Sequence, residues 1–268
     1  MRAPTEVAAE PRISATNLWQ LFTDKQGNIV QALADLTTTV GGDEFVSIVG
    51  PSGCGKSTLL MILAGLQKPT SGAVTVNGRA VHQTPADVGL VFQRDLLLEW
   101  GTALQNVLLP YRLAGENPRP HVDRARQLLA GVGLAGFEGY YPRQLSGGMR
   151  QRVAVCRALV REPSILFMDE PFGALDALTR EQLNVDLSRL FASDSGKTVV
   201  FVTHDIEEAV YLSDRVCVMS AKPGRIRADI AIDLPPRPRA LSIKSSIEFQ
   251  RYVAQIRGEL QEQRDHHR

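Results

Sequence analysis

Phe45-Val46-Ser47-Ile48-Val49 runs directly into Gly50-Pro51-Ser52-Gly53-Cys54-Gly55-Lys56-Ser57, and this junction decides the fold. An almost continuously apolar run of five residues reads as a strand buried on both faces, the habit of a parallel sheet. The eight residues after it match GxxxxGK[ST], and Ser57–Leu66 reads as a helix ended by Gly65 and Pro69. Strand, glycine loop and helix in that order make an anion cradle: the glycines let successive N–H groups face one phosphate, and the helix adds its positive end. Gly50 to Thr58 are therefore candidate nucleotide-binding residues, with Lys56 reaching the β- and γ-phosphates and the Ser57 hydroxyl ligating Mg²⁺. Cys54, inside the loop, reads either as a reactive thiol or as a small residue filling a tight turn.

A second stretch, Ile165-Leu166-Phe167-Met168-Asp169-Glu170, is another buried strand with two carboxylates at its C-terminal end, where ligands bind in parallel sheets. Asp169 is a candidate metal ligand and Glu170 a candidate general base for an attacking water. Further short strands are expected at Ile13–Phe22, Val30–Val40, Ala73–Val76, Val88–Phe92, Val199–Thr203 and Val216–Met219. Helical character dominates from Arg94 to Val160, including Val122–Val132, and returns around 178–192 and 206–212. Strands alternating with helices predict an α/β fold on a mainly parallel sheet, with a helical block inserted into it.

Composition bounds the rest. Of 268 residues, 44% are hydrophobic and 22% charged, which argues against wholesale disorder. The formal net charge of +1 removes the electrostatic case for a nucleic-acid partner. Cys54, Cys156 and Cys217 are too far apart for a zinc site and odd in number, so a reducing compartment is expected. No apolar run reaches the ~18–20 residues of a membrane span, and residues 1–12 read as a loose tail without the apolar segment of a signal peptide.

Between the two phosphate-site stretches lies Leu145-Ser146-Gly147-Gly148-Met149-Arg150-Gln151-Arg152. This resembles the signature motif of ABC-transporter ATPases. The resemblance covers about residues 13–232 through six ordered motifs: the phosphate loop, Gln93, the signature, Asp169-Glu170, Ala174-Leu175-Asp176, and His204. GPSGCGKSTLL and MDEPFGALDALTR are most similar to the ATPases of importers for nitrate, sulfonates and taurine. The resemblance implies a P-loop ATPase of ABC type, with an N-terminal antiparallel β subdomain and an inserted helical subdomain at about 94–162. It implies ATP and Mg²⁺, with Gln93 sensing the metal or the water and His204 bonding the γ-phosphate. Phe22 either stacks on adenine or belongs to the core. Ser146, Gly147 and Gly148 open a helix and form a second anion cradle, which in the family closes over the nucleotide of a second subunit, with Asp176 beside it. Met149 replaces a glutamine common in relatives, and Glu99 a proline common before Trp100. Leu96, Leu97 and Trp100 either receive a coupling helix from a membrane subunit or bury inside the helical block.

The partners implied are a second ATPase subunit (the same chain or a similar one), transmembrane permease subunits and, indirectly, a periplasmic or extracellular solute-binding protein, with the chain peripheral on the cytoplasmic side of the inner membrane. The alternative is a soluble ABC ATPase acting on nucleic acid or the ribosome. A P-loop kinase or GTPase leaves the signature and His204 unexplained. His82, His121, His266 and His267 have no supporting context and are expected to be solvated. After Leu234, Pro235-Pro236-Arg237-Pro238 breaks the pattern and predicts the end of the ATPase domain (13–234). In the extension, 235–268, Ser245 and Glu248 read as a capping box before a helix whose apolar stripe is Phe249, Val253, Ile256 and Leu260. An isolated helix of that length is marginal in water, so the stripe is expected to dock on its own core.

Overall fold

The computed structural model describes residues 11–173, 175–192 and 196–265. Six strands make the larger sheet: β3 (Phe45–Val49), β6 (Val88–Val91), β7 (Ile165–Asp169), β8 (Thr198–Val202), β9 (Arg215–Met219) and β10 (Ile226–Ala231). Their order is β10-β9-β3-β8-β7-β6, and every pairing is parallel except β9 with β10. All residues of β3, β7 and β8 are buried, as their apolar runs require at the centre of a sheet covered on both faces. The edge strand β10 was not anticipated. Its Ile226, Ala228 and Ile230 alternate with Arg227 and Asp229, the habit of a strand with one wet face.

The second sheet is antiparallel: β1 (Ile13–Thr23), β2 (Ile29–Val40), β4 (Ser71–Val76) and β5 (Arg79–Ala80), in the order β2-β1-β4-β5. The helix after the phosphate loop, α1 (Lys56–Leu63), shares one apolar core with both sheets, through Leu33, Leu36, Ile48, Leu59, Leu60 and Val202. It stops short of the expected Leu66: Gly65 N donates to Ile62 O at 3.1 Å and Leu66 N to Met61 O at 2.9 Å, closing the C-terminal turn.

The helical block lies between β6 and β7 as α2 (Ala103–Val107), α3 (Leu109–Leu113), α4 (Val122–Gly131) and α5 (Gly147–Leu159). Val107, Leu128, Leu129, Val153 and Cys156 fill it, and this core continues onto the sheet through Leu166 and Met168. Asn106 is fully buried; its amide donates to Leu98 O, Gly101 O and Thr102 O and accepts from Leu98 N at 2.7 Å, fixing the 98–102 loop. That loop sits between the two readings of the sequence: Leu97 is buried, whereas Leu96 is half exposed and Trp100 is 76% exposed. His121 is not simply solvated, since its ring stacks on Tyr111 with centroids 3.7 Å apart.

Two helices complete the α/β layer, α6 (Ala177–Ala192) and α7 (Ile206–Leu212). The last, α8 (Ile247–Asp265), buries Phe249, Val253 and Ile256 against α7 and β9, and Leu260 lies half-buried beside them. Its cap is Ser246, whose Oγ accepts from Phe249 N at 3.2 Å, one residue beyond the expected Ser245, which ends a 3₁₀ turn. The proline segment before it is strapped down. Arg239, almost fully buried, donates to Val210 O, Tyr211 O and Ser213 O at the C-terminal end of α7, where a cation meets the negative end of the helix. Of the expected loose tail, residues 1–10 lie outside the described residues, and Arg12 donates to Ser164 O and Gly196 O. His266 and His267 also lie outside them. No described helix is long and apolar enough to cross a membrane.

Candidate functional site

The ends of β3, β7 and β8 converge on one cleft. From β3 the chain turns through Gly53 and Gly55 at φ of +74° and +103°, a left-handed path that turns backbone N–H groups toward one point. Lys56, only 5% exposed, then donates from Nζ to Gly50 O at 3.0 Å and to Pro51 O at 3.2 Å. Pro51 precedes that turn. Cys54 is buried beneath the loop, and burial pushes its thiol above the ordinary range, so the tight-turn reading holds and a reactive thiolate does not.

From β7 comes Asp169, whose Oδ1 accepts from Ser57 Oγ at 2.8 Å. Burial is the main force on its carboxyl and raises its pKa, while the Ser57 hydroxyl and Lys56 oppose it. Glu170, next in the chain, holds a left-handed backbone at φ +42°, a strained state that costs about 1–3 kcal/mol and clusters at functional sites. Its backbone N–H extends the β7–β8 ladder to Val202 O at 2.9 Å. One carboxylate oxygen lies 3.7 Å from Lys56 Nζ, and the other 3.2 Å from His204 Nδ1.

His204 is delivered by the turn from β8 into α7. Asp205 caps that helix, accepting from Glu207 N and Glu208 N, and the Thr203 hydroxyl donates to Glu208 at 2.6 Å while accepting from Asp205 N. The imidazole therefore leaves a turn bonded on both sides.

The cleft beside these groups is about 280 Å³ and open to solvent. It is lined by Ser52, Gly53, Gly55, Lys56, Ser57, Thr58 and Glu170, with Phe22, Val30 and Ala32 of the antiparallel sheet as its wall. Phe22 is 42% exposed there, which removes the core reading. Lys222 also lines the cleft, and no sequence motif pointed to it.

Other expected residues stand apart. Gln93 is exposed just beyond β6 and does not line the cleft. Ser146 caps α5, accepting from Met149 N at 3.3 Å, and Gly147 follows it half-buried. Gly148 is required by packing, because a Cβ there would overlap Thr179 Cγ2. Asp176 caps α6, and hydrogen bonds from the Thr179 N–H and hydroxyl hold its carboxyl below the usual range. None of these four lines the cleft around Lys56. Ala174 lies outside the described residues. The sequence also gave no sign of a clamp from α5 onto the loop after β6: Arg157 donates to Asp95 O and Leu96 O, Arg150 pairs with Asp95 at 2.9 Å, and Gln151 donates to Phe92 O.

Comparison with known proteins agrees with this geometry. The model of the ABC transporter family matches residues 33–173. The taurine import ATP-binding protein of Rhizobium johnstonii is 45% identical, over 91% of this chain and 94% of its own length. The nitrate import ATP-binding protein of Synechocystis is 43% identical, over 91% of this chain and 93% of its own. A dimeric ATP-binding cassette solved in a post-hydrolysis state with ADP and Pi superposes with a TM-score of 0.70 at 35% identity, covering 83% of this chain and all of its own. The phosphate loop, the carboxylate pair at the end of β7 and these relatives lead to one conclusion: the chain belongs to the ABC transporter family, as an ATP-binding cassette that hydrolyses ATP.

Proposed function

We propose that the chain is the ATPase subunit of an importer for a small anionic or zwitterionic solute of the nitrate, sulfonate or taurine kind, peripheral on the cytoplasmic side of the inner membrane. The observation that carries this reading is that Lys56, Ser57 and Glu170 line one cleft with Phe22, while Asp169 bonds Ser57 and His204 bonds Glu170 just behind it. Adenine stacks on Phe22 and the phosphates lie along Gly50 to Thr58, with Lys56 on their β/γ end. Ser57 and Asp169 offer a pair of hard oxygens suited to Mg²⁺. Among the described residues no group of three or more His, Cys, Asp or Glu could hold a metal alone, and the remaining ligands would come from outside the chain. Held there, Mg²⁺ would supply charge neutralisation to the phosphates. Glu170 takes the proton of the attacking water, and its strained backbone and His204 aim the carboxylate; His204 also bonds the γ-phosphate. Gln93, at the junction of β6 with the helical block, is read as sensing the metal or the water.

Ser146 is exposed, and none of Ser146, Gly147 and Gly148 lines the cleft of their own chain, which favours use by a partner. We therefore read Ser146 to Gly148, with Asp176 beside them, as closing over the nucleotide of a second ATPase subunit. Leu96 stands exposed at an apolar groove that includes Phe92, Leu109 and Leu113 and suits a helix from a permease subunit, and Trp100 is exposed four residues further along the same loop. The Arg150 and Arg157 clamp joins that loop to α5, whose first turn is the cradle, so a push on one is felt at the other. A solute-binding protein outside the membrane would supply the cargo.

Replacement of Glu170 by Gln tests the reading. ATP should still bind while phosphate release falls by about 10²–10⁴-fold, the usual worth of a general base. Near-normal turnover overturns the assignment.

A further inference from the structure

We propose that Lys222 is a second cationic contact for the polyphosphate of the bound nucleotide. The inference rests on the cleft being the nucleotide site. Lys222 belongs to the hairpin between β9 and β10, outside every motif that carried the functional reading, yet it lines the cleft with Phe22, Gly53, Lys56 and Glu170. Its Cε lies 4.0 Å from the point where a Cβ on Gly53 would stand, so the ammonium stem runs along the phosphate loop itself.

The hairpin that presents it is bonded into the cleft wall. Gly224 N donates to Ala32 O at 2.9 Å and Gly224 O accepts from Ala34 N at 3.1 Å, and Ala32 is itself a lining residue. Ser220 Oγ closes the hairpin, donating to Pro223 O at 2.9 Å and accepting from Arg225 N at 3.0 Å. The stem therefore starts from a fixed point while its end stays free.

The two lysines of the cleft differ in what already engages them. Lys56 is buried and held by Gly50 O, Pro51 O and Glu170. Lys222 is exposed, and among the described residues no acceptor or carboxylate partners its ammonium. A nucleoside triphosphate brings more negative charge than one lysine neutralises. A compact ammonium on a flexible four-carbon stem follows that charge without demanding a bidentate geometry.

The test is equilibrium binding of ATP, ADP and AMP to the full chain and four variants: Lys222→Ala, Lys222→Arg, Arg225→Ala and Lys56→Ala. Arg225 is an exposed cation of the same hairpin that does not line the cleft. Lys222→Ala should weaken ATP about fivefold, the upper range for an exposed ion pair. The loss should be smaller for AMP, shrink in high salt, and be restored by Lys222→Arg, with Arg225→Ala unchanged. Wild-type ATP affinity in Lys222→Ala, with Lys56→Ala crippled, overturns the inference alone. Equal losses in Lys222→Ala and Arg225→Ala also overturn it, as a general surface-charge effect. If Lys56→Ala binds ATP normally, the nucleotide reading of the cleft fails before this inference is reached.

Discussion

The two anion cradles of this chain are built in opposite ways. The phosphate loop leaves a strand buried on both faces, and its lysine is almost fully buried, within 3.7 Å of a carboxylate from the neighbouring part of the sheet. The signature cradle opens a helix of the inserted block, with its serine exposed and, among the described residues, no side-chain partner for that serine beyond the helix cap. On the proposed reading the first is nearly a whole site and the second is half of one. A chain that folds both has set one surface to hold a phosphate and another to offer donors outward.

The comparison can be broken by variants that damage one cradle and spare the other. Lys56→Ala should weaken ATP binding by at least about thirtyfold, since truncating one partner of a buried charge pair costs about 2–5 kcal/mol. Ser146→Arg should leave ATP affinity of the isolated chain unchanged, and nucleotide titration of both variants checks the contrast. Damage remote from both cradles sets the scale: Phe249→Ala on α8 should cost about 3–5 kcal/mol by denaturant unfolding and leave ATP affinity alone. Gly148→Ala pushes a methyl into Thr179 and should cost about 1–3 kcal/mol without touching the cleft. The smallest effect belongs to Ser146→Ala, which removes a helix cap worth about 1 kcal/mol, read as a small drop in melting temperature. A large loss of ATP affinity in any of the three signature variants would mean that the two cradles are not separate.

How much the sequence disclosed follows from the range of each interaction. Lys56, Ser57 and Asp169-Glu170 were readable because the chemistry demands those residue types at a strand end or in the glycine loop and helix start that follow one, and a buried parallel strand announces itself as an apolar run. The stripe Phe249, Val253 and Ile256 was equally readable, since helical period alone gives its face. Arg157 and Lys222 were not, because each acts on atoms far away in sequence and neither sits in a local pattern. Gln93 was grouped with the site by motif order, which carries no distance; the structure leaves it outside the cleft. Ser246 replaced Ser245 as the cap because two adjacent serines offer the same hydroxyl, and only the 3₁₀ turn before them chooses. Asp176 entered the candidate site through the resemblance, and the local sequence did not show that its carboxylate also caps the first turn of α6.

The most direct measurement of the central claim mixes Lys56→Ala chains with Ser146→Arg chains. If the pairing is head to tail, each variant alone has both composite sites damaged. A mixed pair has one site with both the intact phosphate loop and the intact signature, and the other with neither. ATPase activity should rise above that of either variant alone as the ratio approaches equal amounts. Activity that stays at the level of the separate variants, with subunit mixing demonstrated by differential tags, would contradict the account.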